Sequence, residues 1–189
     1  MGKEDNGWGP ALKAKIEESY KNLVKVTLYE YEISSIEFTQ GDAIEEVLSE
    51  SPDLVLYEPF SLINNTVGVP EDQNEETILI FQNKLKKVNK HAILLLQPSY
   101  PIVGATYYSR DIKELKAFAK ELDLSYLDHW EAWPEGDELE DYLVEDIRMD
   151  LMRFGVIGWR GTSYPVLVRL FYNALELKPY RISSLNNMK

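Results

Sequence analysis

The sequence predicts an α/β fold: a parallel sheet with helices on both faces. Three observations carry that expectation. The runs Asp53-Leu-Val-Leu-Tyr57 and His91-Ala-Ile-Leu-Leu-Leu96 are short, continuously apolar and bounded by turn residues, as strands buried on both faces are. Apolar residues recur at helical spacing in Ile78, Phe81, Leu85 and Val88, and again in Ile112, Leu115, Phe118 and Leu122. Strands separated by helices of roughly ten to fifteen residues make βαβ units, hence a doubly wound sheet.

Taken in order, Gly7, Gly9 and Pro10 punctuate the start. Leu12, Ile16, Tyr20 and Leu23 then place a helix over 11–23. Val24 to Tyr31 is rich in β-branched and aromatic residues and reads as a strand, with Ser34-Ser35-Ile36-Glu37 as the loop after it. Asp42 caps a helix carrying Ile44, Val47 and Leu48, which Ser51-Pro52 ends before the strand at 53–57. The helix through Ile78 and Val88 leads to the strand at 91–96, which stops at Gln97-Pro98. The helix through Ile112 and Leu122 leads to a short strand at Tyr126-Leu-Asp128. An acidic segment, Pro134 to Asp146, follows. Beyond Met149 the runs Val156 to Trp159 and Tyr164 to Tyr172 fit strand or helix equally. A chain of 189 residues with 44% hydrophobic content and no evident linker reads as one domain, 1–189.

Composition excludes several function classes. A formal charge of −12 repels phosphate backbones and anionic lipid surfaces, which argues against nucleic acid and membranes as partners. No residue is cysteine, so disulfides, thiolate metal sites and a cysteine nucleophile are ruled out. The first twenty-five residues hold charges throughout and no apolar run long enough for a signal peptide or spanning helix. The compartment is left open. No G-x-G-x-x-G or Walker pattern and no metal-ligand spacing occurs, so no cofactor and no metal is expected.

Ligands of open α/β sheets bind at the carboxyl ends of the strands, which points to the loops after Tyr31, Tyr57, Leu96 and Asp128. The second carries Asn64-Asn65-Thr66. An amide there could donate to a developing oxyanion, or the asparagines could simply make a turn. The same three residues match a glycosylation sequon. Of the two histidines, His91 opens a strand at the wrong end for catalysis. His129 follows Asp128 at a carboxyl end, where a carboxylate-oriented imidazole could act as a base or could serve packing alone. Tyr100, Tyr107 and Tyr108 border the 98–108 loop and could line a pocket or be structural.

The stretch Pro52-Asp-Leu-Val-Leu-Tyr-Glu-Pro-Phe-Ser-Leu-Ile-Asn-Asn resembles the third sequence block of the SGNH/GDSL hydrolases, in a variant similar to a bacterial subgroup. Gly7-Trp-Gly-Pro-Ala-Leu, Gln97-Pro98, Tyr126-Leu-Asp128 and Trp130 support it, so that the likeness spans about 7–146 and leaves 150–189 divergent. The resemblance implies a flavodoxin-like three-layer α/β/α fold and an esterase or acyl hydrolase acting on a small carboxylic ester. It also implies site positions. The second block's oxyanion donor falls at Ser35, the third block's asparagine at Ile63 or Asn64 depending on a one-residue slip, with Asn64 the better chemical candidate, and the acid of the last block at Glu145, with Arg148 where the family has histidine. The family's nucleophilic serine precedes the region matching Gly7 to Leu12, so the expected chain lacks it and the first strand. In the strand order 2-1-3-4-5 that strand lies between 24–31 and 53–57, and its absence leaves backbone groups unpaired at about 1–3 kcal/mol each. Weak or absent esterase activity is therefore expected, with a non-catalytic binding module on the same fold as the alternative, and an unrelated flavodoxin-like binding domain as a more distant one.

Overall fold

The computed structural model describes residues 8–21, 23–133 and 139. The acidic segment, apart from Leu139, and the runs after Met149 lie outside them. Three parallel strands form the sheet: β1 (Leu54–Tyr57), β2 (Ile93–Leu96) and β3 (Ser125–Tyr126), in that order. Leu54 pairs with Ile93 and Tyr57 with Leu96, and Leu95 and Leu96 pair with Ser125 and Tyr126. These are three neighbouring positions of the expected sheet.

Among the described residues six α-helices surround it: α1 (Trp8–Ser19), α2 (Ser35–Gln40), α3 (Asp42–Ser49), α4 (Ser61–Val67), α5 (Glu71–Val88) and α6 (Thr106–Glu121). The period of two along a strand sorts them into layers. Leu94 and Leu96 point into the main core, where they meet Phe38, Ile44, Val47, Leu48, Ile78, Phe81 and Leu85 from α2, α3 and α5, with Leu115 and Phe118 from α6. Leu95 points the other way, onto Leu12 and Ile16 of α1 and onto Leu127. Burying each large apolar side chain contributes about 1.5–3 kcal/mol. The helical stripes read from sequence are these core residues, except at their ends: Val88 and Leu122 are exposed, as is Leu23 beyond α1.

Three expectations are corrected. The first helix begins at Trp8 and ends at Ser19, and Lys21, at φ 53°, turns the backbone left-handed where a helix cannot continue. Ser34-Ser35-Ile36-Glu37 is a helix start. The Glu37 N–H donates to Ser34 Oγ at 3.2 Å and the Ser34 N–H to the Glu37 carboxylate at 2.8 Å, a capping box that opens α2. The Ser34 N–H and the Ser34 hydroxyl, both donating to that carboxylate at 2.8 Å, hold the Glu37 carboxyl below its ordinary range. Gly41 joins α2 to α3 because its N–H meets the Glu37 carbonyl and a Cβ would come within 2.9 Å of that oxygen. Finally, Val24–Tyr31 enters no ladder among the described residues. Its alternation survives as packing, with Tyr29, Tyr31 and Ile33 resting on the main core and Tyr31 donating to Glu46 at 2.8 Å. A strand is completed by a partner's backbone, which residue type alone does not supply.

Candidate functional site

The carboxyl end of β1 runs into Glu58, Pro59 and Phe60, and this loop launches α4. Phe60 sits left-handed at φ 57°, ψ 31°, a conformation that costs a residue with a Cβ about 1–2 kcal/mol. Asn64 is helical, not in a turn. Its backbone N–H donates to the Phe60 carbonyl at 2.8 Å. Gly68, at φ 75°, ends the helix.

Asn64 is 4% exposed and lies against Ser35, which is fully buried at the start of α2. The two positions, 29 residues apart in sequence, bond reciprocally: the Ser35 N–H donates to Asn64 Oδ1 at 2.9 Å and Asn64 Nδ2 to Ser35 Oγ at 3.0 Å. Asn64 Nδ2 also reaches the Pro59 carbonyl at 3.0 Å and Asn74 Oδ1 at 2.9 Å. Two amide hydrogens thus serve three acceptors. Both donors assigned to an oxyanion site are together at the carboxyl end of the sheet, and both are engaged within the protein. Burial of Asn64 also closes the sequon to glycosylation in the folded chain.

Asn74, from α5, is 5% exposed and was not singled out by sequence, although it opens the buried stripe Asn74, Thr77, Ile78, Phe81, Leu85. A polar residue at the head of an apolar stripe is the signal that marks it. Beside it lies a water-sized cavity of about 20 Å³, lined by Ser61, Asn64, Asn65, Glu71, Asn74 and Asp111. Desolvation, with Asp111, Glu114 and Glu75 nearby, pushes the Glu71 carboxyl up to about 7. Asp111 accepts from Asn65 Nδ2 at 2.7 Å. Among the described residues no group of three or more His, Asp or Glu converges as metal ligands would, and no helix is long and apolar enough to cross a membrane.

His129 opens a 3-10 turn, His129–Ala132, and is 5% exposed. Its Nε2 lies 2.7 Å from the Pro98 carbonyl, and its Nδ1 accepts from the Trp133 indole at 3.1 Å. An indole nitrogen only donates and a carbonyl only accepts, so the proton resides on Nε2 and the Nδ1 lone pair is occupied. Desolvation lowers the pKa, keeping the ring neutral. Asp128 bonds neither ring nitrogen. It accepts from the Trp130 N–H at 3.2 Å and pairs with Lys116. Tyr108 is buried and donates to the Tyr100 carbonyl at 3.1 Å, whereas Tyr107 is exposed beneath Arg110. These tyrosines do not share one wall. Glu145 lies outside the described residues.

Solved structures share this arrangement of strands and helices. A lipolytic protein assigned to the G-D-S-L family, from Desulfitobacterium hafniense DCB-2, superposes with a TM-score of 0.66 at 15% identity, over 92% of either chain. An assigned acylhydrolase from Bacteroides fragilis NCTC 9343 gives 0.61 at 18% identity, over 89% of this chain and 80% of that one. The chain has the SGNH/GDSL hydrolase fold. A GDSL-like lipase from Bacteroides thetaiotaomicron VPI-5482 agrees, with a TM-score of 0.60 at 16% identity over 89% of this chain and 82% of that one. No protein-family model and no curated protein matches the sequence. The parallel order β1-β2-β3 is one that such a fold accommodates, and Ser35 and Asn64 meet beyond the carboxyl end of β1.

Proposed function

We propose that the chain is an SGNH/GDSL-type acyl hydrolase domain that receives a small carboxylic ester at the carboxyl end of β1 and turns it over weakly or not at all. The observation carrying this reading is the contact between the Ser35 N–H and the Asn64 amide. Two donors brought together from distant parts of the sequence, at the ligand-binding end of a parallel sheet, are what stabilisation of an acyl oxyanion requires.

Slow chemistry follows from the same geometry. In the resting protein Asn64 Oδ1 accepts the Ser35 N–H while Ser35 Oγ, the Pro59 carbonyl and Asn74 Oδ1 take up the Asn64 amide hydrogens, so a substrate oxygen must displace bonds already made. The base is also wanting. His91 stands at the amino end of the sheet and His129 has both ring nitrogens committed, so no imidazole lone pair is available to activate a nucleophile. Oxyanion stabilisation alone leaves a residual rate orders of magnitude below that of a complete triad.

Hydrolysis of p-nitrophenyl acetate and butyrate by the purified chain tests this. A saturable rate only slightly above background, abolished in Asn64→Ala, is the expected result. Robust turnover indifferent to Asn64→Ala, or no saturable binding of any short-chain ester, would sink it.

A further inference from the structure

Glu58 is an acid with no evident duty at the end of an apolar strand. No ion pair among the described residues includes it, and burial raises its pKa. The tyrosines whose ionisation its charge opposes, Tyr57, Tyr100 and Tyr108, bring no positive charge. Placing a carboxylate without a counter-ion in such surroundings is costly unless strong donors meet it. Two backbone donors do. Glu58 Oε1 accepts from the Ser61 N–H at 2.8 Å and Oε2 from the Phe60 N–H at 3.2 Å.

Those two N–H groups belong to the start of α4, where a helix leaves its first donors without partners. Phe60 has no side-chain oxygen to cap them, and its left-handed backbone would relax if nothing held it. The carboxylate therefore acts as a cap reaching forward from two residues upstream. What it fixes is specific: the Pro59 carbonyl, which takes Asn64 Nδ2 at 3.0 Å, and the Phe60 carbonyl, which takes the Asn64 N–H at 2.8 Å. Packing assists from the other side, the Phe60 ring lying 5.1 Å from that of Phe38, in the helix that begins with Ser35. Both the backbone and the side chain of Asn64 are thus anchored on the loop that Glu58 clamps.

We propose that Glu58 is a positioning residue for this site, its carboxylate clamping the Phe60 and Ser61 amides so that the Pro59 and Phe60 carbonyls aim the Asn64 side chain at Ser35. The proposal rests on the reading of Asn64 as an oxyanion donor for its functional meaning, but the clamp itself is observable without catalysis.

The test follows the Asn64 side-chain amide by two-dimensional nitrogen-proton NMR, with hydrogen exchange at Phe60, Ser61 and Asn64, in the full chain and in Glu58→Gln, Glu58→Asp and Glu58→Ala. Glu58→Gln keeps the shape and one acceptor oxygen. It is expected to shift the Asn64 side-chain resonances and to speed exchange at Phe60 and Ser61 about tenfold, as loss of one charge-assisted bond of ~1.4 kcal/mol does. Glu58→Ala exceeds it, and Glu58→Asp, which keeps the charge, recovers part of the loss. Should Glu58→Ala not fold, acidifying the unsubstituted protein replaces it, because protonation removes one acceptor and must move the same resonances. Unchanged Asn64 resonances in Glu58→Gln, with unchanged exchange at Phe60 and Ser61, overturn the clamp. Shifted resonances in a protein without ester turnover leave the clamp standing and count against the hydrolase reading alone.

Discussion

Strands β1 and β2 are built from nearly the same residues, Leu-Val-Leu-Tyr and Ile-Leu-Leu-Leu, and lie side by side in register. In β2, Leu94, Leu95 and Leu96 are 5%, 8% and 0% exposed. The first residue of each strand is exposed, Leu54 at 44% and its partner Ile93 at 52%, but in β1 Val55 and Leu56 are only half-buried and Tyr57 alone is buried. The difference comes from neighbours. Strand β2 has ladders on both sides and helices above and below, whereas β1 has a ladder to β2 alone among the described residues. Apolar composition sets how much a strand is able to bury, and the elements around it set how much it does bury.

Substitutions along the two strands should break the apparent equivalence, and Leu96→Ala should do most. Its side chain is wholly enclosed, so truncation removes transfer energy and leaves a cavity, about 2–5 kcal/mol in all. Urea midpoints for that variant and for Leu54→Ala measure the contrast between an enclosed and an exposed strand position, and comparable losses at both would mean that Leu54 is covered as well as Leu96. A second contrast lies in the carboxyl-end network. Asn64→Ala strips partners from the buried Ser35 N–H, the Pro59 carbonyl and Asn74, and should cost about 1–3 kcal/mol, while Asn65→Ala next to it, exposed with one bond to Asp111, should stay within about 0.5 kcal/mol.

A smaller effect concerns pH. The Glu71 carboxyl, raised to about 7 in the fold, binds its proton more tightly folded than unfolded. The native state therefore loses stability as pH climbs from the ordinary carboxylate range through about 7. Glu71 is only half buried, so solvent screens much of this. Thermal midpoints recorded across that range should fall in the unsubstituted protein and stay flatter in Glu71→Gln; parallel profiles would place the titration elsewhere. The smallest expected change is Leu54→Ala itself, below about 0.5 kcal/mol as for an exposed position.

Much of this was legible beforehand. The strands at 54–57 and 93–96 and the stripes of α3, α5 and α6 appear because continuous runs and a 3.6-residue period report directly on which faces are buried. The resemblance marks Ser35 and Asn64 as separate oxyanion candidates from two sequence blocks; their mutual hydrogen bonds are a feature of the fold. Other features were not readable. Ser34 and Glu37 carry a capping-box signature, yet they sit after a segment that looks like a strand and so read as its loop. The engagement of His129 with Pro98 and Trp133 depends on a carbonyl 31 residues away, and no spacing rule encodes it. Glu58 stands between a strand and a proline, and nothing in that local setting says which amides its carboxylate meets.

The sequence by itself determined the α/β class, the positions of the two apolar strands and the helical faces that cover them, because local periodicity and composition act over a few residues. Tertiary structure decided the rest. Whether Val24–Tyr31 pairs, how deeply β1 is buried, and where the Asn64 and His129 polar groups spend their hydrogen bonds all depend on backbone and side-chain partners supplied from remote parts of the chain, and a buried polar group must find such a partner or pay for its desolvation.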